Sequence, residues 1–296
     1  MTPIAFVGLG TMGGPMVRRL AERHDVLVYD VDRAKADDLA RLSAVSAAGS
    51  LGELRDSRLV VLMLPNSDIV DAVVAGPDGL LEVLPSGALI VDMSSSDPRR
   101  TVELAANAER AGIALVDAPV SGGLARARTG DLTVMFGGTP EQLAACMPAL
   151  EPMTTSVIPM GGVGAGHAMK ALNNVMSAAG LSVATEVIEV GRRFGLDPKL
   201  MLEVLNRSTG RNHATETKVE QFVLSESFDS GFLLQLMLKD LAIAVDLASE
   251  MGVPIPMAEA CLELWSRGAE LLPPDADQTR IAQLPAGLGE EAAKGA

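Results

Sequence analysis

Short apolar runs alternate with amphipathic stretches through the first half of the chain, at the two periodicities that separate strands from helices. Runs at residues 4–7, 26–30, 59–64, 88–92, 113–117, 132–136 and 156–158 predict strands. Stretches at 12–22, 33–42, 68–74, 98–111 and 140–150 carry helical spacing. Fully apolar, β-branched strands set between helices are the sequence form of a parallel sheet covered on both faces. Several of these strands end in a polar or turn residue that leads into a helix: Asp30, Pro65-Asn66, Asp92 and Asp117. In open α/β sheets, ligands bind at those carboxyl ends. Near Met160-Gly161-Gly162 the pattern changes. Strand signals stop, and long helical patterns follow at 165–194, 198–206, 233–251 and 256–271. The first of these has no proline and exceeds an average helix in length, which suits a bridge between domains or the spine of the second. The tail from Ala286, rich in Ala, Gly and Glu, reads as a fraying end. The expected organisation is an α/β domain at 1–162 followed by an all-α domain at 163–296.

Composition narrows the function without naming it. The chain has 296 residues, long for one domain and comfortable for two. It carries 24 Lys and Arg against 38 Asp and Glu, a net charge of −14. A field of that sign repels phosphate backbones and anionic membrane surfaces, so neither nucleic acid nor membrane is an expected partner. It leaves open a small anion held in a local basic pocket. With one Trp and one Tyr, stacking platforms for single-stranded nucleic acid are essentially absent. Cys146 and Cys261 lack metal-ligand spacing and His24, His167 and His213 are scattered, so no metal site is expected. The apolar runs stop short of the ~18–20 residues of a membrane span. The N-terminus has no secretory pattern. The expected location is the cytoplasm.

The first chemical motif is Gly8-Leu9-Gly10-Thr11-Met12-Gly13, which follows a predicted strand and opens a predicted helix. That context gives a G-x-G-x-x-G match its meaning. The first glycine makes the tight turn, the second lets backbone approach a pyrophosphate, and the third lets helix and strand pack closely. The helix N-terminus adds donors and partial positive charge. Asp30 ends the next strand, where its carboxylate would accept from an adenosine ribose and repel a 2′-phosphate. NAD is therefore expected over NADP, although Arg33 nearby would partly offset the repulsion. The plainer readings are a tight strand-to-helix turn and a helix-start aspartate. Further on, Ser94-Ser95-Ser96 lies between a strand and a helix starting near Pro98, where the hydroxyls would face a nicotinamide or cap the helix.

The second motif is Gly164-Ala165-Gly166-His167-Ala168-Met169-Lys170, a flexible lead-in to the long helix. Within it Lys170, Asn173, Asn174 and Ser177 fall at i, i+3, i+4 and i+7, a polar stripe among Ala, Leu, Met and Val. Burying ammonium and amide groups is unfavourable unless partners or ligands satisfy them. Burial also lowers a lysine pKa toward the range where proton transfer is efficient. The alternative is a solvated helix face.

Four ordered blocks together resemble the β-hydroxyacid dehydrogenases, the 3-hydroxyisobutyrate dehydrogenase family. They are the glycine loop extended through Gly14-Pro15-Met16, Asp117-Ala118-Pro119-Val120-Ser121-Gly122-Gly123, Gly164 through Asn174, and Lys239-Asp240-Leu241. The resemblance implies an N-terminal Rossmann domain of doubly wound α/β architecture, a connecting long helix, and an all-α C-terminal domain. It also implies a homodimer or homotetramer formed largely through those helices. By resemblance, Lys170 is the catalytic acid/base, and Ser121, Gly122 and Gly123 hold the substrate carboxylate through hydroxyl and backbone N–H donors. Asn174 fixes the substrate beside Lys170; Leu64, Pro65 and Ser95 line the cofactor; Lys239 reaches cofactor or substrate from the C-terminal domain. The implied activity is hydride transfer between NAD and a small anionic β-hydroxyacid or its semialdehyde. Arg126 would meet a second anionic or hydroxylated substrate group, or both Arg126 and Arg128 would be solvated or paired in the oligomer. The segment 208–213 falls where relatives shape the pocket.

Three other readings fit the same architecture. Decarboxylating sugar-phosphate dehydrogenases are similar, but they are much longer and would want a phosphate site with more Arg. Imine reductases resemble the chain, but the catalytic lysine is usually replaced there, and Lys170 is present. A silent cofactor-binding reader or scaffold would have had reason to lose Lys170, Asn174 and Ser121-Gly122-Gly123, and all are intact.

Overall fold

The computed structural model describes residues 3–284, so the tail from Ala286 lies outside the described residues. The strands are β1 (Ile4–Val7), β2 (Val26–Tyr29), β3 (Val45–Ala47), β4 (Leu59–Leu62), β5 (Leu89–Asp92), β6 (Ala114–Asp117), β7 (Val120–Ser121), β8 (Leu132–Gly137) and β9 (Thr154–Gly161). Between them run α1 (Gly13–Leu20), α2 (Arg33–Leu39), α3 (Ser67–Ala75), the single turn α4 (Leu80–Val83), α5 (Pro98–Arg110), α6 (Gly123–Thr129) and α7 (Pro140–Leu150). The remainder is helical: α8 (Ala165–Phe194), α9 (Pro198–Arg207), α10 (His213–Thr217), α11 (Leu234–Glu250) and α12 (Pro256–Leu271). The chain divides into two compact units, Met1–Lys170 and Ala171–Ala296, so α8 starts in the first and runs on into the second.

In the first unit the strands form one sheet in the order β3-β2-β1-β4-β5-β6-β8-β7, with β9 paired to β8. From β3 to β6 every pairing is parallel. The chain winds outward from β1 in one direction and from β4 in the other, so the two halves meet at a β1–β4 switch point. Beyond β6 the expectation of an all-parallel sheet fails. Strand β8 runs antiparallel to both β6 and β7. Antiparallel neighbours need no full crossover helix, and the 117–132 connection holds only the two-residue β7 and the short α6.

Alternation along β1 shows how the strands build two cores. Ile4 and Phe6 pack on one face with Met16, Leu20, Val61, Val91 and Phe136. Ala5 and Val7 pack on the other with Val60, Leu62, Ile90 and Leu115. Period-two side chains on a sheet covered from both sides require apolar residues at every position, and β1 reads as a solid apolar run for that reason. The second unit has its own core around the fully buried Trp265, with Leu181, Met237 and Leu241. Its indole N–H donates to Ser182 Oγ at 2.9 Å. Among the described residues, no helix is long and apolar enough to cross a membrane.

Candidate functional site

The glycine loop sits at the carboxyl end of β1, beside the switch point. Gly8 has φ +96, and a Cβ there would overlap the Met63 carbonyl oxygen and crowd Leu64. A Cβ on Gly13 would overlap the Gly8 carbonyl oxygen. Both positions therefore require glycine for close backbone packing. Gly10 is different: it is exposed, and nothing lies within 4 Å of where its Cβ would be. This is an open cradle, and a side chain would fill it. Thr11 is exposed and Met12, the N-cap of α1, makes no side-chain cap bond, which leaves this helix end suited to an anion. These residues fit a dinucleotide pyrophosphate.

Asp30, just past β2, does more than its position in the sequence suggested. Its Oδ2 accepts from Leu9 N–H at 2.7 Å and its Oδ1 from Asp32 N–H at 2.8 Å, so the carboxylate ties the glycine loop to the end of β2. Each carboxylate oxygen has a second lone-pair direction, which leaves capacity for a ribose hydroxyl. The Leu9 side chain is buried in the core. Across the switch point, strand β4 ends at Leu62 rather than 64, although Met63 N–H still donates to Val7 O at 2.9 Å. Leu64 N–H then donates to Ser94 Oγ at 2.9 Å, which joins the Leu64-Pro65 loop to the serine loop after β5. The cap of α5 is Asp97, with Pro98 in its first turn. Ser94 and Ser96 are used otherwise: Ser96 donates to Asp92 Oδ2 at 3.1 Å. Ser95 is half-buried between them.

Ser121 closes β7, and Gly122 and Gly123 follow with φ of 134 and 66. A Cβ on Gly122 would meet the Arg126 side chain, whose stem thus lies over this turn, whereas Gly123 is open. Arg126 Nε is 3.4 Å from Asp131 Oδ2.

The lead-in to α8 is held by Asp117 at the end of β6. Gly164 N–H donates to its Oδ1 at 2.6 Å and His167 N–H to its Oδ2 at 2.8 Å, a cap for α8 drawn from a distant strand. Gly164 has φ +91, and a Cβ on Gly166 would overlap the Met135 carbonyl oxygen, so the two glycines bring this helix end onto the sheet. Burial pushes the Asp117 carboxyl above the usual carboxylate range, and the His167 ring with the two N–H donors pulls it partly back. Lys170 is half-buried rather than buried. One turn on, Asn174 is buried and donates to Asp240 Oδ2 at 2.5 Å. Lys239 Nζ donates to the other oxygen of Asp240 at 2.7 Å. Asp240 is fully buried, so this carboxylate joins Asn174 to Lys239 within the second unit. Sequence reasoning saw Lys239-Asp240 as a motif and gave the aspartate no role. Cys146 and Cys261 are pushed by burial up to about 12 and about 11, which keeps both thiols protonated.

A glycine cradle at a sheet switch point defines a dinucleotide-binding domain, here followed by a helical unit with a lysine on the joining helix. Residues 3–162 match the model of the NAD-binding domain of 6-phosphogluconate dehydrogenase. Residues 164–285 match that of the NAD-binding region of NADP-dependent 3-hydroxyisobutyrate dehydrogenase. The 2-(hydroxymethyl)glutarate dehydrogenase of Eubacterium barkeri is 35% identical over 266 residues, 90% of this chain and 88% of its own. The 3-sulfolactaldehyde reductase of Escherichia coli is 35% identical over 269 residues, 90% of each chain. The solved structure of Mycobacterium tuberculosis 3-hydroxyisobutyrate dehydrogenase with L-serine superposes with a TM-score of 0.87 at 30% identity, covering 96% of this chain and 99% of that one. The chain belongs to the β-hydroxyacid dehydrogenase family.

Proposed function

We propose that the protein is an NAD-dependent oxidoreductase that interconverts a small anionic β-hydroxyacid and its semialdehyde, with Lys170 as acid/base. The observation that carries this reading is the glycine cradle open at Gly10, in the same unit as a half-buried lysine on the first turns of α8. When bound, the nicotinamide supplies the two-electron acceptor or donor for the carbinol carbon. The Lys170 amine takes the hydroxyl proton during oxidation, and its ammonium returns that proton to the oxygen during reduction. Ser121 and the backbone N–H groups of Gly122 and Gly123 are assigned to the substrate carboxylate. Asn174, four residues past Lys170 on one helix and held by Asp240, is assigned to the substrate, and Lys239 to the cofactor. The reading is tested by following NADH formation with 3-hydroxyisobutyrate, 3-hydroxypropionate, glycerate, serine, threonate and 4-hydroxybutyrate. No turnover with any of them would reject it.

Preference for NAD over NADP is supported by the charges at the end of β2. Asp30 and Asp32 stand there together, while the nearby cations are engaged within the chain. Arg33 Nε donates to Asp37 at 2.8 Å and its NH1 to the Ala48 carbonyl at 3.1 Å; Lys35 lies 3.5 Å from Asp32. Asp30→Ala is expected to weaken NADH binding by about 10- to 100-fold, the scale of hydrogen bonds to a charged group. NADPH binding should weaken less, because loss of the Leu9 tie affects both cofactors whereas the ribose contact matters only for NADH. The measurement is fluorescence titration with both nucleotides. An unchanged NADH-to-NADPH affinity ratio would remove Asp30 from ribose recognition.

A homo-oligomer is supported by an apolar stripe on α8. Leu172, Met176, Val183, Val187, Val190 and Phe194 are all exposed, reaching 84% at Phe194, and recur at spacings of three, four and seven. Such spacing marks a helix–helix seam. Light scattering is expected to give a dimer or tetramer, and Val190→Glu with Phe194→Glu to shift it toward monomer. A monomeric wild-type protein would contradict this assignment.

A further inference from the structure

His167 was one of three scattered histidines in the sequence, and the activity proposed above gives it no task. In the fold it is 1% exposed and sits at the centre of a polar cluster inside the first unit. Its Nε2 lies 3.2 Å from the Ser94 carbonyl oxygen, which can only accept, so this ring nitrogen carries a proton. Its Nδ1 lies 2.8 Å from Thr101 Oγ1 on α5. Carboxylates flank both sides of the ring, with Asp92 Oδ2 at 3.8 Å from Nε2 and Asp117 Oδ2 at 3.9 Å from Nδ1. Its backbone N–H is one of the two donors in the Asp117 cap.

The partners of this ring connect two parts of the proposed chemistry. Ser94 accepts from Leu64 N–H through its hydroxyl, donates its own N–H to Asp92 Oδ1 at 3.0 Å, and gives its carbonyl to His167. One continuous hydrogen-bonded path therefore runs from the Leu64 loop, through Ser94, to the first turn of α8. Lys170 follows three residues later, on the same side of the helix as His167. Capping α8 uses only the backbone N–H of residue 167, and the ring takes no part in that bond. The ring must have another reason to be buried among four polar groups.

We propose that His167 is a positioning residue, whose ring locks the first turn of α8 and its Lys170 to the Ser94 loop that also carries Leu64. This rests on the assignment of Lys170 as the acid/base group. A lysine held at the wrong distance from the substrate hydroxyl slows proton transfer while leaving dinucleotide affinity unchanged. His167→Ala is expected to lower kcat by about 10²-fold, the scale of a misplacement of about 1 Å. NADH affinity should stay at the wild-type value, and the primary deuterium isotope effect on kcat should rise as the chemical step becomes limiting. His167→Gln, whose amide reaches far enough to donate to the Ser94 carbonyl, should recover most of kcat. Thr101→Val removes the hydroxyl at Nδ1 with little change of shape and covers the case of an alanine variant that does not fold. It should lower kcat by about 3- to 10-fold, again with NADH affinity unchanged.

All variants are compared per NADH-binding site, alongside Lys170→Ala. If His167→Ala and Thr101→Val keep wild-type kcat and isotope effect per site, the ring serves folding alone and the proposal is overturned. If Lys170→Ala turns over normally, the failure lies in the acid/base assignment on which the proposal rests.

Discussion

Lys170→Ala is expected to lower kcat by about 10²- to 10⁴-fold, the contribution of a positioned general acid/base. NADH affinity should change little, because the cradle is built from Gly8, Gly10, Gly13 and Asp30 on other elements. Lys170 is half-buried on a helix whose start is capped by Asp117 and seated on the sheet through Gly164 and Gly166. Truncating it to alanine, a good helix former, leaves that seating intact. Lys170→Arg is a stricter comparison. Arginine keeps the charge but cannot lose its proton near neutral pH, so it should fail as a base almost as completely as alanine. Steady-state kinetics with fluorescence titration of NADH separates these effects. A Lys170→Ala enzyme with wild-type kcat would remove the lysine from the chemistry.

Asp240→Ala is expected to damage both the stability and the activity of the protein. The carboxylate is fully buried and accepts from both Asn174 and Lys239. Its loss takes the shared acceptor from a buried amide and a partly buried ammonium. Breaking a fully buried pair costs more, but the Lys239 side chain keeps 22% of its exposure, so a loss of about 2–4 kcal/mol is expected. The kinetic consequence is separate. With Asn174 no longer held, kcat/KM should fall by about 10²-fold at temperatures well below the variant's Tm. Asp240→Asn keeps the shape and one acceptor oxygen, and should lie between alanine and wild type. Thermal melts and kcat/KM together test this. An alanine variant matching wild type in both would reduce Asp240 to a passive core residue.

What the sequence made legible were features with local causes. The glycine loop could be read because its first and last glycines answer steric demands from residues close by in the chain or just past the adjacent strand: Gly13 against Gly8, Gly8 against Met63. The long helix was legible over its whole span, 165–194, because its apolar spacing is unbroken by proline. Strands β3 and β7, of three and two residues, are too short to carry a period. Strand β9 extends over Thr154–Gly161 rather than 156–158, and most of it is exposed, so no apolar alternation marks its ends. Helix α10 is polar and depends on the Asn212 cap, a signal that hydrophobic spacing does not register. At the site, the missing information was long-range pairing. Asp117 meets Gly164 and His167 across 47 and 50 positions, Ser94 meets His167 across 73, and Asp240 meets Asn174 across 66. A lone histidine and an aspartate beside a lysine gain meaning only when the fold brings such partners together. The serines showed the same limit: capping and cofactor lining were equally consistent with their spacing, and the cap of α5 is Asp97, while Ser94 and Ser96 bond to Leu64 and Asp92.

On the proposed function, this chain moves a hydride between the carbinol carbon of a β-hydroxyacid and a nicotinamide. The most direct measurement uses the hydroxyacid that gives the fastest turnover, deuterated at its carbinol carbon, with NAD, and follows the label by mass spectrometry. With both carbinol hydrogens replaced by deuterium, NADH is expected to carry one deuterium, the semialdehyde to keep the other on its formyl carbon, and no labelled NADH to form with Lys170→Ala on the same timescale. Unlabelled NADH, or label transfer that proceeds equally well without Lys170, would contradict it.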